Sequence, residues 1–228
     1  MHVQLIPVIE MFYLVDSVPL PSHGPYWEHV AGWRDYHERN LRANGFSTRL
    51  RPYLPGSAFH RIAELSDMDI SRLIQLHCAE GMDGSGDWRQ VPPLSGGYVL
   101  RVGDLDVLFP QCCSDLGDLH SWKRIAAGKG AYLYSGHPSP DINHHNQSAS
   151  FDFNGPGEAF TPPPPLHSVT VPLSTLTRAV QAADRELRIF AARLELLNAN
   201  QAMGIPDIET LLIHGHRKPA LDSSAHAP

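Results

Sequence analysis

One segment, Ser95–Ala127, constrains the fold of this chain more than any other part of the sequence. Its first half predicts a β-hairpin at 98–109 with a turn at Gly103-Asp104, because such a pair between two apolar runs is typical of a two-residue hairpin loop. Proline cannot donate a ladder hydrogen bond, so Pro110 ends the second strand. A Cys-Cys turn and a helix follow. We therefore predict a mainly antiparallel sheet built around this hairpin.

Four helices are predicted from apolar residues that recur every three or four positions. The longest keeps this spacing from Leu173 onward without a break, and Ser174 or Thr175 is a candidate N-cap. In the first helix the same spacing predicts that Trp27 and Trp33 face the core. The predicted helices span residues 26–44, 67–79, 117–127 and 173–200.

Short apolar runs predict further strands outside the hairpin. The N-terminal run is continuous, and the pattern leaves open whether Pro7 breaks it. Residues 135–165 are polar and rich in proline, so we expect a long loop there, either functional or poorly ordered, with at most one short strand at Phe151–Phe153. The predicted strands are His2–Tyr13, Phe59–Leu65, Ala131–Tyr134 and His167–Val171.

Hairpins mixed with separated helices, rather than a regular alternation of strand and helix, indicate the α+β class. No linker divides the 228 residues, 42% of which are hydrophobic, so we predict a single globular domain over 1–214. One or two helical turns are expected within Asp207–His214. Residues 215–228 are predicted to form a disordered tail.

The charge balance argues against one large class of function. Charged residues make up 18% of the chain and the formal net charge is −6, whereas nucleic-acid binding depends on clustered Lys and Arg. Three cysteines, two of them adjacent, make no disulfide framework and favour a cytoplasmic location. The apolar N-terminus has no basic n-region and is too short to span a bilayer, so we predict neither a signal peptide nor a membrane partner.

A metal site is one hypothesis for the 135–165 segment, because His137, His144 and His145 lie within it. Zinc would need three or four ligands that converge on one point, and this spacing matches neither an HExxH helix nor paired CxxC motifs. The alternative is a solvated loop that happens to contain histidines. We assign no metal ligand and no cofactor.

A reactive thiol is a second hypothesis, because Cys112 and Cys113 precede a helix, where the helix dipole lowers the pKa of a thiol. Asp115 and His120 are close by in sequence, and strand alternation would point one cysteine inward and the other outward. The alternative is that small, soft side chains pack the corner between strand and helix. We assign no catalytic residue.

Acidic residues around a tryptophan predict a protein-binding surface. Asp83 and Asp87 bracket Trp88 in a loop rich in turn formers, and an exposed aromatic side chain inside an acidic rim can anchor a basic partner. Each acid has an alternative interpretation as a turn former, a helix cap or a solvated charge. The predicted partner-binding residues are Asp83, Asp87, Trp88, Asp104, Asp115 and Asp118.

Three stretches carry a resemblance in their layout: IPVIEMFY, VLFPQCCSDLGDLHSW and VPLSTLTRAVQAADRELRIFAARL. Together the chain resembles bacterial immunity-type proteins, which neutralise polymorphic or contact-dependent toxins. The resemblance implies a small acidic cytoplasmic protein that occludes its partner without a cofactor. It assigns no functional residue.

The expected function is therefore that of a protein-binding module, specifically an immunity protein that blocks a cognate toxin domain with a basic surface. An enzyme is the alternative, either a metal-assisted hydrolase that uses the histidines at 137–145 or a thiol enzyme that uses Cys112 or Cys113. A structural component of a larger assembly would fit the same sequence features as the binding module.

Overall fold

Two antiparallel sheets form the framework of the described part of the chain, residues 1–155 and 157–215 of a computed structural model. The strands of the larger sheet are, in spatial order, Phe59–Arg61 (β2), Val3–Glu10 (β1), Gly96–Val102 (β3) and Leu105–Leu108 (β4). Those of the smaller sheet are Asp141–His145 (β5), Ser148–Asp152 (β6) and Ser168–Pro172 (β7). The predicted tail lies outside the described residues, apart from Gly215.

Four α-helices accompany the sheets, so the fold is α+β, as predicted. They are Val30–Ala43 (α1), Asp67–Met82 (α2), Leu119–Ala126 (α3) and Leu173–Asn200 (α4). Short 3-10 segments lie at Ile62–Glu64, Trp88–Gln90 and Leu116–Asp118, and a π-helical turn lies at Thr210–His214. Within the described residues, no helix combines the length and the apolar character needed to cross a bilayer.

Strand β1 is mostly apolar because both of its faces are buried between its exposed polar residues Gln4 and Glu10. Leu5 and Ile9 pack into the main core, whereas Ile6 and Val8 belong to a smaller cluster on the other face. Pro7 does not break the strand. It precedes the three residues that pair with β2, so it lies where β1 has only β3 beside it.

The hairpin of β3 and β4 is confirmed. Val102 pairs with Leu105, which leaves Gly103-Asp104 as a two-residue turn, and Gly103 adopts a positive φ of 62°. The hairpin does not, however, occupy the centre of the sheet, where the sequence predicts it. Strands β1 and β3 are central and β4 is an edge strand, so the N-terminal strand does as much to organise the sheet as the hairpin does.

The prediction of a long loop over 135–165 is wrong, because β5 and β6 form a second hairpin there. Its turn is Asn146-Gln147, and both residues have positive φ, 47° and 60°. In β5 only Ile142 is buried, so the apolar alternation that marks a strand is almost absent. The strand predicted at Ala131–Tyr134 is also wrong, since that segment makes one isolated bridge, from Tyr132 to Asp141.

The longest helix, α4, has the predicted bounds, but its N-cap is Pro172 and no side chain caps it. Helix α1 begins at Val30 rather than near Pro25, because the residues before it form turns. Trp27 and Trp33 are therefore partly exposed, which corrects the prediction that they face the core. The buried residues of α1 are Tyr36, His37, Asn40 and Leu41.

Residues of both sheets share the main apolar core. Helix α4 lies against β1, α3 and β7, and its buried face follows the predicted three-to-four spacing. The ring of Trp122 in α3 lies 5.8 Å from that of Phe151 in β6, and neither is more than 1% exposed. This aromatic pair joins α3 to the smaller sheet.

Gly96 is the tightest point between β1 and β3, and its replacement by alanine is expected to destabilise the fold. Its φ is 147°, and a Cβ atom there would lie 2.3 Å from the carbonyl oxygen of Val8. We expect Gly96→Ala to lower the free energy of unfolding by about 3 kcal/mol or more, measured by urea denaturation.

The matched control is Gly32→Ala, because Gly32 lies in α1 and a Cβ atom added there would meet nothing within 4 Å. It should be neutral or raise the free energy of unfolding by up to about 1 kcal/mol, since alanine is the better helix former. Equal effects of the two substitutions would contradict a steric role for Gly96.

Stability is expected to fall in mild acid because two histidines are buried. Burial lowers the pKa of His60 from 6.5 to about 4, and it lowers the pKa of His37 to about 4 as well. A proton therefore binds the unfolded chain more tightly than the folded one. The contribution of these two neutral histidines to stability is complete well above pH 6.5 and decreases as the pH falls towards 4, by about 3 kcal/mol for His60 alone.

His60→Asn should remove part of this pH dependence, because an amide N–H can still donate to the carbonyl of Arg51, which now lies 2.9 Å from His60 Nδ1. The measurement is the free energy of unfolding between pH 4 and 7. His2→Asn is the control, since His2 is exposed. The same slope in His60→Asn, His2→Asn and the wild type would refute this assignment.

Candidate functional site

The segment after β4 leaves the sheet at a corner that Gln111 holds in place. The Gln111 N–H donates to Ser135 O over 2.8 Å, and its side-chain amide donates to Phe109 O over 2.9 Å. Its Oε1 accepts from the Thr161 N–H over 2.9 Å. Gln111 is 5% exposed, so a buried amide ties three stretches of chain together here.

Asp115 and Asp118 start the next helix and are not on the surface. Asp115 Oδ1 accepts from the Gly117 N–H over 2.8 Å, and Asp118 Oδ2 accepts from the Asp115 N–H over 3.0 Å. This is a capping box at the 3-10 turn that leads into α3. The two residues are 4% and 1% exposed. Asp115 and Asp118 are buried helix caps, so the prediction that they form part of an acidic binding surface is wrong.

A shallow cleft of about 550 Å³ opens beside this corner, between α3 and residues 130–134. We call it the α3 cleft. Tyr132 is 62% exposed at its edge, and Tyr134 is half-buried. The residues that line it include Asp118, His120, Ser121, Arg124, Tyr132 and Tyr134.

The exposed charge at the α3 cleft is basic. Arg124 is exposed and forms no ion pair with any described residue, whereas its neighbour Lys123 is held by Asp184 at 2.6 Å. Lys129, next to the cleft residue Gly130, is exposed as well. Asp118, the acidic residue that lines the cleft, is buried. The cleft therefore offers a guanidinium and phenol rings to a partner.

The loop that follows α2 holds the first predicted acids. Asp83 is exposed and ends α2 in a left-handed conformation, with a φ of 41°. Asp87 is partly exposed, and both of its oxygens lie 2.9 Å from nitrogens of Arg89. Trp88 is half-buried and packs on the main core. Trp88 is therefore less exposed than predicted, and its binding role stays a prediction.

Asp104 is exposed in the turn of the first hairpin. That turn follows the last residue of β3 in the chain, whereas Asp83 and Asp87 come before the first residue of that strand. The neighbouring Asp106 is held by Arg101 at 2.7 Å. Of the predicted acids, Asp83 and Asp104 are thus exposed, whereas Asp87 is partly exposed.

The loop histidines do not converge. His144 and His145 are consecutive in β5, so their side chains point to opposite faces of the strand. His144 Nε2 lies 2.9 Å from the carbonyl oxygen of Gly130, and His137 is exposed elsewhere. Within residues 1–155 and 157–215, no three His, Cys, Asp or Glu side chains are grouped as a metal site requires.

Cys112 and Cys113 are both exposed, so the expected inward and outward alternation is wrong. Cys113 has a positive φ of 71°, which turns its side chain back towards its neighbour, and the two Sγ atoms are 3.3 Å apart. The hydrogen bond to Cys113 and the charge of that thiol raise the pKa of Cys112. The predicted lowering by the helix dipole is not seen for Cys112. His120, the histidine that lies close to the cysteines in sequence, has its Nδ1 atom 3.0 Å from the Gly117 carbonyl oxygen.

Comparison of the chain with protein-family models, with curated proteins and with solved structures gave no match. The sequence does not indicate the α3 cleft, because the pattern at 131–134 predicts a strand. The flanking glycines Gly128 and Gly130 are the signal for an exposed turn there, and both adopt positive φ.

Because the pKa of Cys112 is raised, we expect this thiol to react slowly at neutral pH. We expect iodoacetamide to alkylate Cys112 more slowly than free cysteine at pH 7, because less of the thiol is ionised. Cys113→Ala should speed the reaction, since it removes the hydrogen bond and the charge that raise the pKa. Mass spectrometry of the Cys112 peptide measures both rates. A wild-type rate above that of free cysteine would restore the thiol-enzyme hypothesis.

Proposed function

We propose that this chain is a protein-binding module of the immunity type, which docks a cognate toxin domain at the α3 cleft and blocks it by occlusion. The observation that carries the proposal is the exposed Tyr132, which stands at the edge of a concave surface beside Arg124. Tyrosine and arginine are enriched among the residues that contribute most to protein–protein binding. Occlusion requires no cofactor.

A rigid base beneath the cleft supports this assignment. Helix α3 is anchored by the buried Trp122 and started by the capping box, and Tyr134 Oη donates to the carbonyl oxygen of Cys113 over 3.2 Å. Side chains held on a rigid element lose little conformational freedom on binding. The cleft is therefore suited to bind without rearrangement.

Catalysis has less support at the same place. The hydroxyl of Ser121 is 3.4 Å from His120 Nε2, yet Ser121 is only 7% exposed, so a substrate has little access to it. The thiol and histidine hypotheses lack their expected geometry, as described above. The residues of the α3 cleft are better suited to recognition than to bond cleavage.

Two kinds of charge act in the proposed complex. The net charge of −6, with Asp83 and Asp104 exposed and Asp87 partly exposed, favours approach of a toxin domain with a basic surface. Arg124 and Lys129 instead favour an acidic or carbonyl-rich segment of the partner at the cleft itself. Long-range attraction and local docking are thus assigned to different parts of the surface.

Affinity capture from the native host tests the proposal. We expect the tagged wild-type chain to capture one stoichiometric partner at moderate salt, and we expect Tyr132→Ala and Arg124→Ala to lower its affinity about 30-fold each. Matched controls are Ile189→Ala and Arg34→Ala, which change exposed residues of α4 and α1. Equal capture by cleft variants and controls would exclude the cleft as the docking surface.

The acidic loop gives a separate prediction. Replacing Asp83 and Asp87 by lysine should slow association with the captured partner and weaken its dependence on salt, while the dissociation rate changes little, because these acids act before contact. Surface plasmon resonance at two salt concentrations measures both rates. An unchanged association rate would show that the loop has no steering role.

A further inference from the structure

The two exposed thiols at the corner form a preorganised pair. Their Sγ atoms are 3.3 Å apart, which is too far for a disulfide bond of about 2.05 Å. The left-handed conformation of Cys113 brings the side chains to the same side of the chain. A conformation of this kind is uncommon for a residue with a Cβ and persists only where the surroundings hold it.

The surroundings hold both carbonyl groups of this dipeptide. The carbonyl of Cys112 accepts from the His137 N–H over 3.0 Å, and the carbonyl of Cys113 accepts from Tyr134 Oη over 3.2 Å. Gly136 packs so closely that a Cβ there would lie 2.4 Å from the Cys112 oxygen. The peptide group between the two cysteines therefore has little room to rotate.

This fixed geometry disfavours a disulfide within the pair. Adjacent Cα atoms are about 3.8 Å apart, whereas disulfide-linked residues usually have Cα atoms about 4.4–6.8 Å apart. Closing the bond would distort the peptide and disturb both carbonyl hydrogen bonds. An atom that bridges the two sulfurs at nearly a right angle would need no such movement.

An atom that bridges the sulfurs of Cys112 and Cys113 must take its remaining ligands from outside the protein. Zinc takes four ligands in structural sites and three protein ligands in catalytic ones, and no third His, Cys, Asp or Glu joins the pair among the residues that the structure describes. A trivalent arsenical has one bond to its own organic group and two exchangeable positions, so two thiolates satisfy it.

We propose that Cys112 and Cys113 form a dithiol site that chelates trivalent arsenicals and does not readily oxidise to a disulfide. With phenylarsine oxide as the probe, two As–S bonds form and the arsenic–oxygen bond is lost. The two thiol protons leave with that oxygen as one water molecule. Arsenic stays trivalent and both sulfurs keep their oxidation state, so the reaction needs no oxidant or reductant.

The test uses the full reduced chain and phenylarsine oxide, with native mass spectrometry as the readout. We expect one adduct per chain that survives an excess of a monothiol and is reversed by a dithiol. Cys112→Ser and Cys113→Ser should each weaken binding about 100-fold or more, because the second As–S bond is intramolecular. Cys78→Ala, which removes the buried cysteine, should leave the adduct unchanged.

Two results would overturn the proposal. One is an adduct that the monothiol removes, or that either serine variant forms as tightly as the wild type. The other is rapid loss of two hydrogens from the Cys112–Cys113 peptide when the chain is treated with oxidised glutathione, because this would show that the disulfide closes easily. Circular dichroism of each variant confirms that these exposed substitutions leave the fold intact.

Discussion

The close pairing of β1 with β3 is the constraint on which the rest of the structure depends. It is possible because Gly96 and Gly97 present no side chain where β1 and Pro110 approach. The pairing buries both faces of β1 and supports α4 on the main core. It also sets the direction in which the chain leaves the sheet after β4, and hence where the Cys-Cys corner and α3 lie.

The corner shows how buried polar groups can shape an exposed surface. Gln111, Asp115 and Asp118 are almost inaccessible to solvent, yet their hydrogen bonds decide where Tyr134 and the two thiols are displayed. Buried polar groups that find partners rigidify their surroundings, whereas unpartnered ones are costly. Tyr134 lines the proposed docking cleft and its hydroxyl donates to the Cys113 carbonyl oxygen, so the cleft and the proposed dithiol site share this support.

The sequence was informative where local signals and tertiary packing agree. The hairpin turn at Gly103-Asp104 and the bounds of α4 were predictable because each follows from neighbouring residues. The β5–β6 hairpin was not, because a strand with one buried residue has no periodicity to detect. For the site, the acids illustrate the limit: a capping aspartate and a partner-binding aspartate look alike in sequence, and burial alone separated Asp115 and Asp118 from Asp83.

The order of strands has a consequence for how the protein is made. Val3 pairs with Val102, so β1 leaves the ribosome long before its principal neighbour exists. At about 5–20 residues per second, an apolar strand with two open edges waits several seconds for β3, and longer for α4. During synthesis this segment is therefore exposed to aggregation with other chains, and slow translation past β1 would lengthen that exposure.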